Sequence, residues 1–196
     1  MKCILAVVLA LGATLVSAEA QAPTSPPRSP KEAVEEYFQF EVNGGRLTTE
    51  GWHKAIKFFL RPDSPPKNRR IVVIDRDFSV WDRAIEVKGD TVRIAVGILP
   101  MWRIDSALRL LPSGLTPKSG ILYDLVLTDK HWELGSNGQE TEVSGRPEWR
   151  IKQEDPVIWI TVDTALRYVA EMRDKTKDPV IKKNADATLA KLKALE

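Results

Sequence analysis

The order in which hydrophobic periodicities succeed one another constrains this chain most. Helical spacing comes first, up to about residue 60. Strand-like patterning then runs from Ile71 to Lys152, and helical spacing returns after Thr161. A parallel α/β sheet needs a helix between successive strands, so this order points away from it and to the segregated α+β class. The expected architecture is N-terminal helices packed on a curved, mostly antiparallel sheet, with additional C-terminal helices.

The boundaries carry their own chemistry. Ser29-Pro30-Lys31-Glu32 is a capping box with proline at the first helical position. Ala33, Val34, Tyr37 and Phe38 follow at helical spacing, and Asn43-Gly44-Gly45 supplies a left-handed end. Thr48 or Thr49 caps a second helix with Trp52, Ile56 and Phe59 on one face; Pro62, Pro65 and Pro66 stop it. Strands are expected at Ile71–Ile74, Phe78–Val87 and Thr91–Ile98, where apolar and other residues alternate, with Lys88-Gly89-Asp90 as a turn. Pro100 suggests a bulge or an edge, Met101–Leu111 a strand running into a loop, and Pro112–Gly120 a loop. Ile121–Thr128 reads as a strand, Asp129-Lys130 as a turn, His131–Leu134 as its partner, 135–147 as a loop and 148–152 as a last short strand. Thr161 caps a helix that turns Ala165, Leu166, Val169 and Met172 inward. Asp178-Pro179 opens another, whose stripe of Val180, Ile181, Ala185, Leu189 and Leu192 must dock on the domain or on a second copy. A homodimer is therefore one expectation.

Met1-Lys2, the apolar run Ile4–Val16 and Ala18-x-Ala20 have the form of a secretory signal peptide cleaved near Ala20. The run is too short for a stable membrane anchor. Residues 1–20 are thus read as leader, 21–28 as a Pro-rich linker, 29–160 as the domain and 161–196 as a helical extension. Cys3, the only cysteine, lies in the leader, so the exported chain has no disulfide and no thiolate metal site. Export without disulfides points to a bacterial periplasm or extracellular space. Lys and Arg total 29 against 27 Asp and Glu, a net charge of +2, which is no footprint for nucleic acid.

Three stretches, taken together, carry a resemblance. The opening Ser29-Pro30-x-Glu32-Ala33-Val34-x-x-Tyr37-Phe38, the hairpin region Phe78–Leu134 and the closing Glu148-Trp149-Arg150-Ile151 resemble the NTF2-like superfamily. This is the cone-shaped α+β domain shared by ketosteroid isomerases and scytalone dehydratases. The resemblance covers residues 29–160 and implies a pocket on the concave face of the sheet. It does not imply a reaction, because the catalytic Tyr and Asp of the isomerases do not align onto this chain. The helices from Thr161 to Leu195 also run past the usual end of that domain.

With two histidines, His53 and His131, a histidine-rich metal site is excluded by count, and no cofactor-binding fingerprint is present. Asp124 alternates with Leu122 and Val126, and Asp82 with Val80 and Ala84. A carboxylate on an apolar strand face costs desolvation unless paired. Left unpaired in a pocket it has the raised pKa of a general base. Otherwise the face is wet, or the aspartate pairs with an arginine such as Arg83 or Arg103. Tyr123 and His131 are candidate proton donors to accompany either aspartate. Trp81, Trp102 and Tyr123 are candidates for lining a ligand pocket. Lys67-Asn68-Arg69-Arg70 reads as solvated surface. The functional expectation is an exported, non-catalytic protein that binds a small apolar molecule or a protein partner through a sheet cavity or the C-terminal helices. The alternative is a cofactor-independent isomerase, dehydratase or hydrolase with Asp82 or Asp124 as base.

Overall fold

The computed structural model describes residues 26–61, 70–75, 78–81, 86–115, 120–136, 138–153 and 155–195. The leader, Asp82, Arg83 and the Lys67-Asn68-Arg69 cluster lie outside the described residues. The fold is α+β, with four α-helices and two sheets among the described residues, and the sheets do not close into a barrel.

Helix α1, Pro30–Val42, begins on the expected box. Ser29 Oγ accepts from Glu32 N at 3.2 Å and the Glu32 carboxylate accepts from Ser29 N at 2.7 Å. It ends at Gly44, whose φ of +91° suits glycine; Gly44 N donates to Glu41 O and Gly45 N to Phe40 O, closing the terminal carbonyls in a Schellman motif. Helix α2, Thr49–Ala55, is capped by Thr48 and runs into a 3₁₀ turn, Ile56–Phe58. Gly51 lets α2 approach the end of α1: a Cβ there would lie 1.7 Å from Gly45 O.

The strands are β1 Arg70–Ile74, β2 Ser79–Val80, β3 Glu86–Lys88, β4 Thr91–Gly97, β5 Pro100–Ile104, β6 Leu110–Pro112, β7 Ile121–Leu134, β8 Glu140–Ile151 and β9 Val157–Ile160. Helices α3, Val162–Lys175, and α4, Pro179–Lys193, complete the fold. One sheet has the order β6-β5-β1-β9, and the other runs β2-β4-β7-β8 with β3 beside β4. Among these strands the pairings are antiparallel except β1 with β9, and an isolated parallel bridge joins Phe59 to Ile151.

Strand β1 explains the layering. Its β-branched run is buried on both faces: Val72 and Ile74 join the core beneath α1 and β4–β7, while Ile71 and Val73 join the core beneath α3 and α4. Strand β9 divides likewise, Trp159 to the first core and Ile158 and Ile160 to the second. The four-stranded sheet is therefore a middle layer. Helix α4 packs against α3 of this chain, with Ala185, Leu189 and Leu192 in the second core. Thr188 Oγ1 donates to Leu108 O at 2.8 Å and accepts from Leu110 N at 3.0 Å. Val180, expected in the stripe, is 65% exposed.

Two sequence expectations are corrected. Asp129-Lys130 is not a turn: β7 runs on through it to Leu134, and the register shift there is taken up on β8, where Gly145, Arg146 and Pro147 stand against Asp129 alone. The hairpin turn lies instead at Gly135–Gln139, where Gly138 has φ +76°. The expected loop 135–147 is mostly strand β8, which pairs with β7 from Leu125 to Leu134, and β9 follows it as a further strand. The outer half of β8 is exposed, so no buried face imposes an apolar alternation there. Pro147 is tolerated because β8 is the edge of its sheet.

Candidate functional site

The first core lies between α1 and the sheets. Val34, Tyr37, Phe38, Glu41 and Val42 form the buried stripe of α1. Tyr37 meets Phe58, Phe59 and Tyr123 edge-on at 5.6, 5.4 and 5.7 Å between ring centres. These side chains fill the interior between α1 and the sheets. Among the described residues, two clefts lie where this core reaches the surface and hold chemistry relevant to the expectations.

The first cleft, about 500 Å³, lies between β7 and the segment leading into β9. Leu122, Tyr123, Lys152, Asp155, Pro156 and Trp159 line it. Asp155 Oδ2 accepts from Trp159 Nε1 at 2.6 Å and from Tyr123 Oη at 3.4 Å, while Oδ1 accepts from Val157 N at 2.8 Å. Burial, reinforced by nearby Tyr37, Asp155 and Glu41, holds the Tyr123 phenol protonated well above its ordinary range. Behind this cleft, Arg46 donates to both oxygens of Glu41 at 2.7 and 2.5 Å and to the carbonyls of Asp155 and Val157, each at 2.7 Å. Both side chains of that pair are wholly buried. Burial pushes the Glu41 carboxyl above its ordinary range, against the pull of Arg46.

The expected base does not have the expected character. Asp124 accepts two hydrogen bonds from Arg93, at 2.6 and 3.0 Å, across the β4–β7 pairing. Those bonds hold its carboxyl below the ordinary range rather than above it. The partner is not Arg103, and Arg83 lies outside the described residues. Arg93 is the residue directly opposite Asp124 in register, on the outer face where Glu86 also reaches it at 3.2 Å.

The remaining candidates are scattered. His131 Nε2 lies 3.0 Å from Glu133 Oε1. It stands eight positions from Tyr123 along β7, roughly 26 Å at about 3.3 Å per residue, so the two cannot share a substrate. Trp81 is 53% exposed beside β4, with its indole near Gly97. Trp102 packs against the second core. Only Tyr123 among the three proposed pocket residues lines the β7–β9 cleft, and it forms part of its floor at 3% exposure.

The second cleft is a groove of about 550 Å³ between the helical segment and the β7–β8 arm. Phe40 of α1, His53 and Lys54 of α2, Ile56 and Lys57 of the 3₁₀ turn, and Trp132, Glu133 and Leu134 of β7 line it. Trp132 Nε1 donates to Leu60 O at 3.0 Å, which fixes the arm against the helical segment. Leu134 remains 39% exposed. Sequence reasoning missed this groove because it depends on β7 continuing past Asp129. It missed Glu41 and Arg46 as well, although Glu41 stands seven residues after Val34 on the buried stripe. Among the described residues no group of three or more His, Cys, Asp or Glu side chains is placed to hold a metal, and no helix is long and apolar enough to cross a membrane. Compared with family models, with curated proteins and with solved structures, the chain matches none.

Proposed function

We propose that this chain is an exported, non-catalytic binding protein of NTF2-like type that takes a small apolar ligand in the groove between the helical segment and the β7–β8 arm. One observation carries the reading. Asp124, Asp155 and His131, which general acid–base chemistry would need, are already engaged within the protein, whereas the groove presents aromatic and aliphatic surface at the exterior. Binding through the C-terminal helices has less support, since Ala185, Leu189 and Leu192 face inward. Saturable uptake of the uncharged dye Nile red tests the proposal. Leu134→Asp should weaken it at least tenfold with little change in melting temperature. Undiminished uptake in that variant would place the binding elsewhere and defeat the proposal.

The second reading is a cofactor-independent catalyst, and the meeting of Tyr123 Oη with the Asp155 carboxylate in the β7–β9 cleft favours it. Its weakness is that Asp155 already accepts three hydrogen bonds, which leaves little lone-pair capacity for a substrate proton. Turnover abolished by Asp155→Asn and untouched by Leu134→Asp would establish it over the binding reading.

A further inference from the structure

The groove has a polarity as well as an apolar wall. Phe40, Ile56, Trp132 and Leu134 supply the wall. Lys54, Lys57 and His53 stand along the helical side, against Glu133 as the one carboxylate among the described lining residues. Glu133 faces His131 at 3.0 Å. Lys54 and Lys57 reach Glu50 and Glu36 at 2.6 and 3.4 Å, but both lysine side chains are more than half exposed, at 64% and 56%. Ion pairs of that kind contribute little and exchange readily for another anion. Lys57 also lies over the Phe58 ring at 4.8 Å, which keeps its ammonium next to apolar surface. The volume, about 550 Å³, lies within the range of roughly 300–1,000 Å³ that small-molecule sites occupy.

Resting on the binding reading above, we infer that the groove takes single-chain carboxylate amphiphiles of the fatty-acid class. The tail lies over Phe40, Ile56, Trp132 and Leu134, and the head group sits at Lys54 and Lys57. Charge complementarity chooses this occupant: an uncharged lipid or an apolar peptide would leave the two ammonium groups unused, and an organic cation would meet them unfavourably.

The test uses the full exported chain and measures displacement of Nile red by dodecanoate and by dodecanol, both below their aggregation limits. Dodecanoate should bind about tenfold more tightly than dodecanol at low salt, and the advantage should shrink as salt rises. In the double variant Lys54→Glu, Lys57→Glu the two ligands should become equal or reverse, with dodecanol unchanged. Equal affinities in the unaltered protein would overturn the inference while leaving an apolar site in place. Failure of both ligands to displace a dye that does bind at Leu134 would overturn it in favour of another occupant, such as a peptide. Failure of the dye itself to bind there would defeat the underlying binding reading instead.

Discussion

Replacing Arg46 by Met tests the interior most severely. The guanidinium is wholly buried and donates to both oxygens of a wholly buried Glu41. Removing it leaves a carboxylate inside the core whose remaining donor, among the described residues, is the Trp159 amide at 3.2 Å. Breaking one side of a buried ion pair costs about 3–5 kcal/mol, chiefly because the surviving charge has lost its compensation. The carbonyls of Asp155 and Val157 lose a donor as well.

The sign of the pH dependence follows from burial. Glu41 is already held above its ordinary range by desolvation, and Arg46 is the largest influence opposing that rise. Without Arg46 the folded-state pKa climbs further above the unfolded value. A raised folded pKa in an acid gives stability that is fully present below the unfolded pKa and is lost as pH rises through the folded one. Arg46→Met should therefore lose most relative to the unaltered protein near pH 8 and recover part of the loss near pH 5. The double variant Glu41→Leu, Arg46→Met removes the charge but leaves the backbone partners unmade. It should be destabilised with no such recovery on acidification. Urea titrations at several pH values measure all three proteins. A loss in Arg46→Met that is below about 1 kcal/mol, or constant between pH 5 and 8, would refute the reasoning.

Three further outcomes are expected. Asp124→Asn should destabilise slightly, by less than about 1 kcal/mol, because its arginine pair is more than a third exposed and screened. Since Arg93 depresses the Asp124 pKa, that contribution is present above the unfolded pKa and disappears as pH falls through the folded one; a stability gain in Asn at neutral pH would contradict the pairing. Thr188→Val leaves Leu108 O and Leu110 N without their buried partner and should cost about 1–3 kcal/mol, read as a lowered melting temperature. Exported protein should begin near Glu19–Pro23 on N-terminal sequencing, and a soluble product that retains Met1 would exclude cleavage.

The elements whose apolar faces are buried were legible in the sequence. The capping box at Ser29, the stripe of α1, the alternation of β4 and the inward face of α3 each repeat at the period of the structure they form. What was not legible lacked such a face or depended on register. Most of β8 is solvent-exposed, so its polar sequence resembles a loop. Asp129-Lys130 has the composition of a turn, but it continues as strand because β8 pairs with β7 on both sides of it and takes up the irregularity with its own extra residues. The Asp124 partner is settled by cross-strand register, which places Arg93 opposite it and no other arginine. Parallel pairing of β1 with β9 joins segments more than 80 positions apart, and nothing local announces it.

The aromatic packing of the interior and the position of the groove have a common cause. The stripe of α1 brings Tyr37 and Phe38 into the first core. Tyr37 then packs on Phe58, Phe59 and Tyr123, so the 3₁₀ turn after α2 is drawn inward beneath α1. Phe40, one step round the helix, follows Phe58 at 5.4 Å and reaches the surface beside it. The long β7–β8 arm passes that edge and is held there by Trp132 on Leu60. The same aromatic packing that occupies the interior thus builds the outer groove's floor. Emptying the interior, for instance by Tyr37→Ala, would not simply open a pocket: it would loosen the support of Phe58 and Phe40, and with it the surface on which the proposed ligand rests.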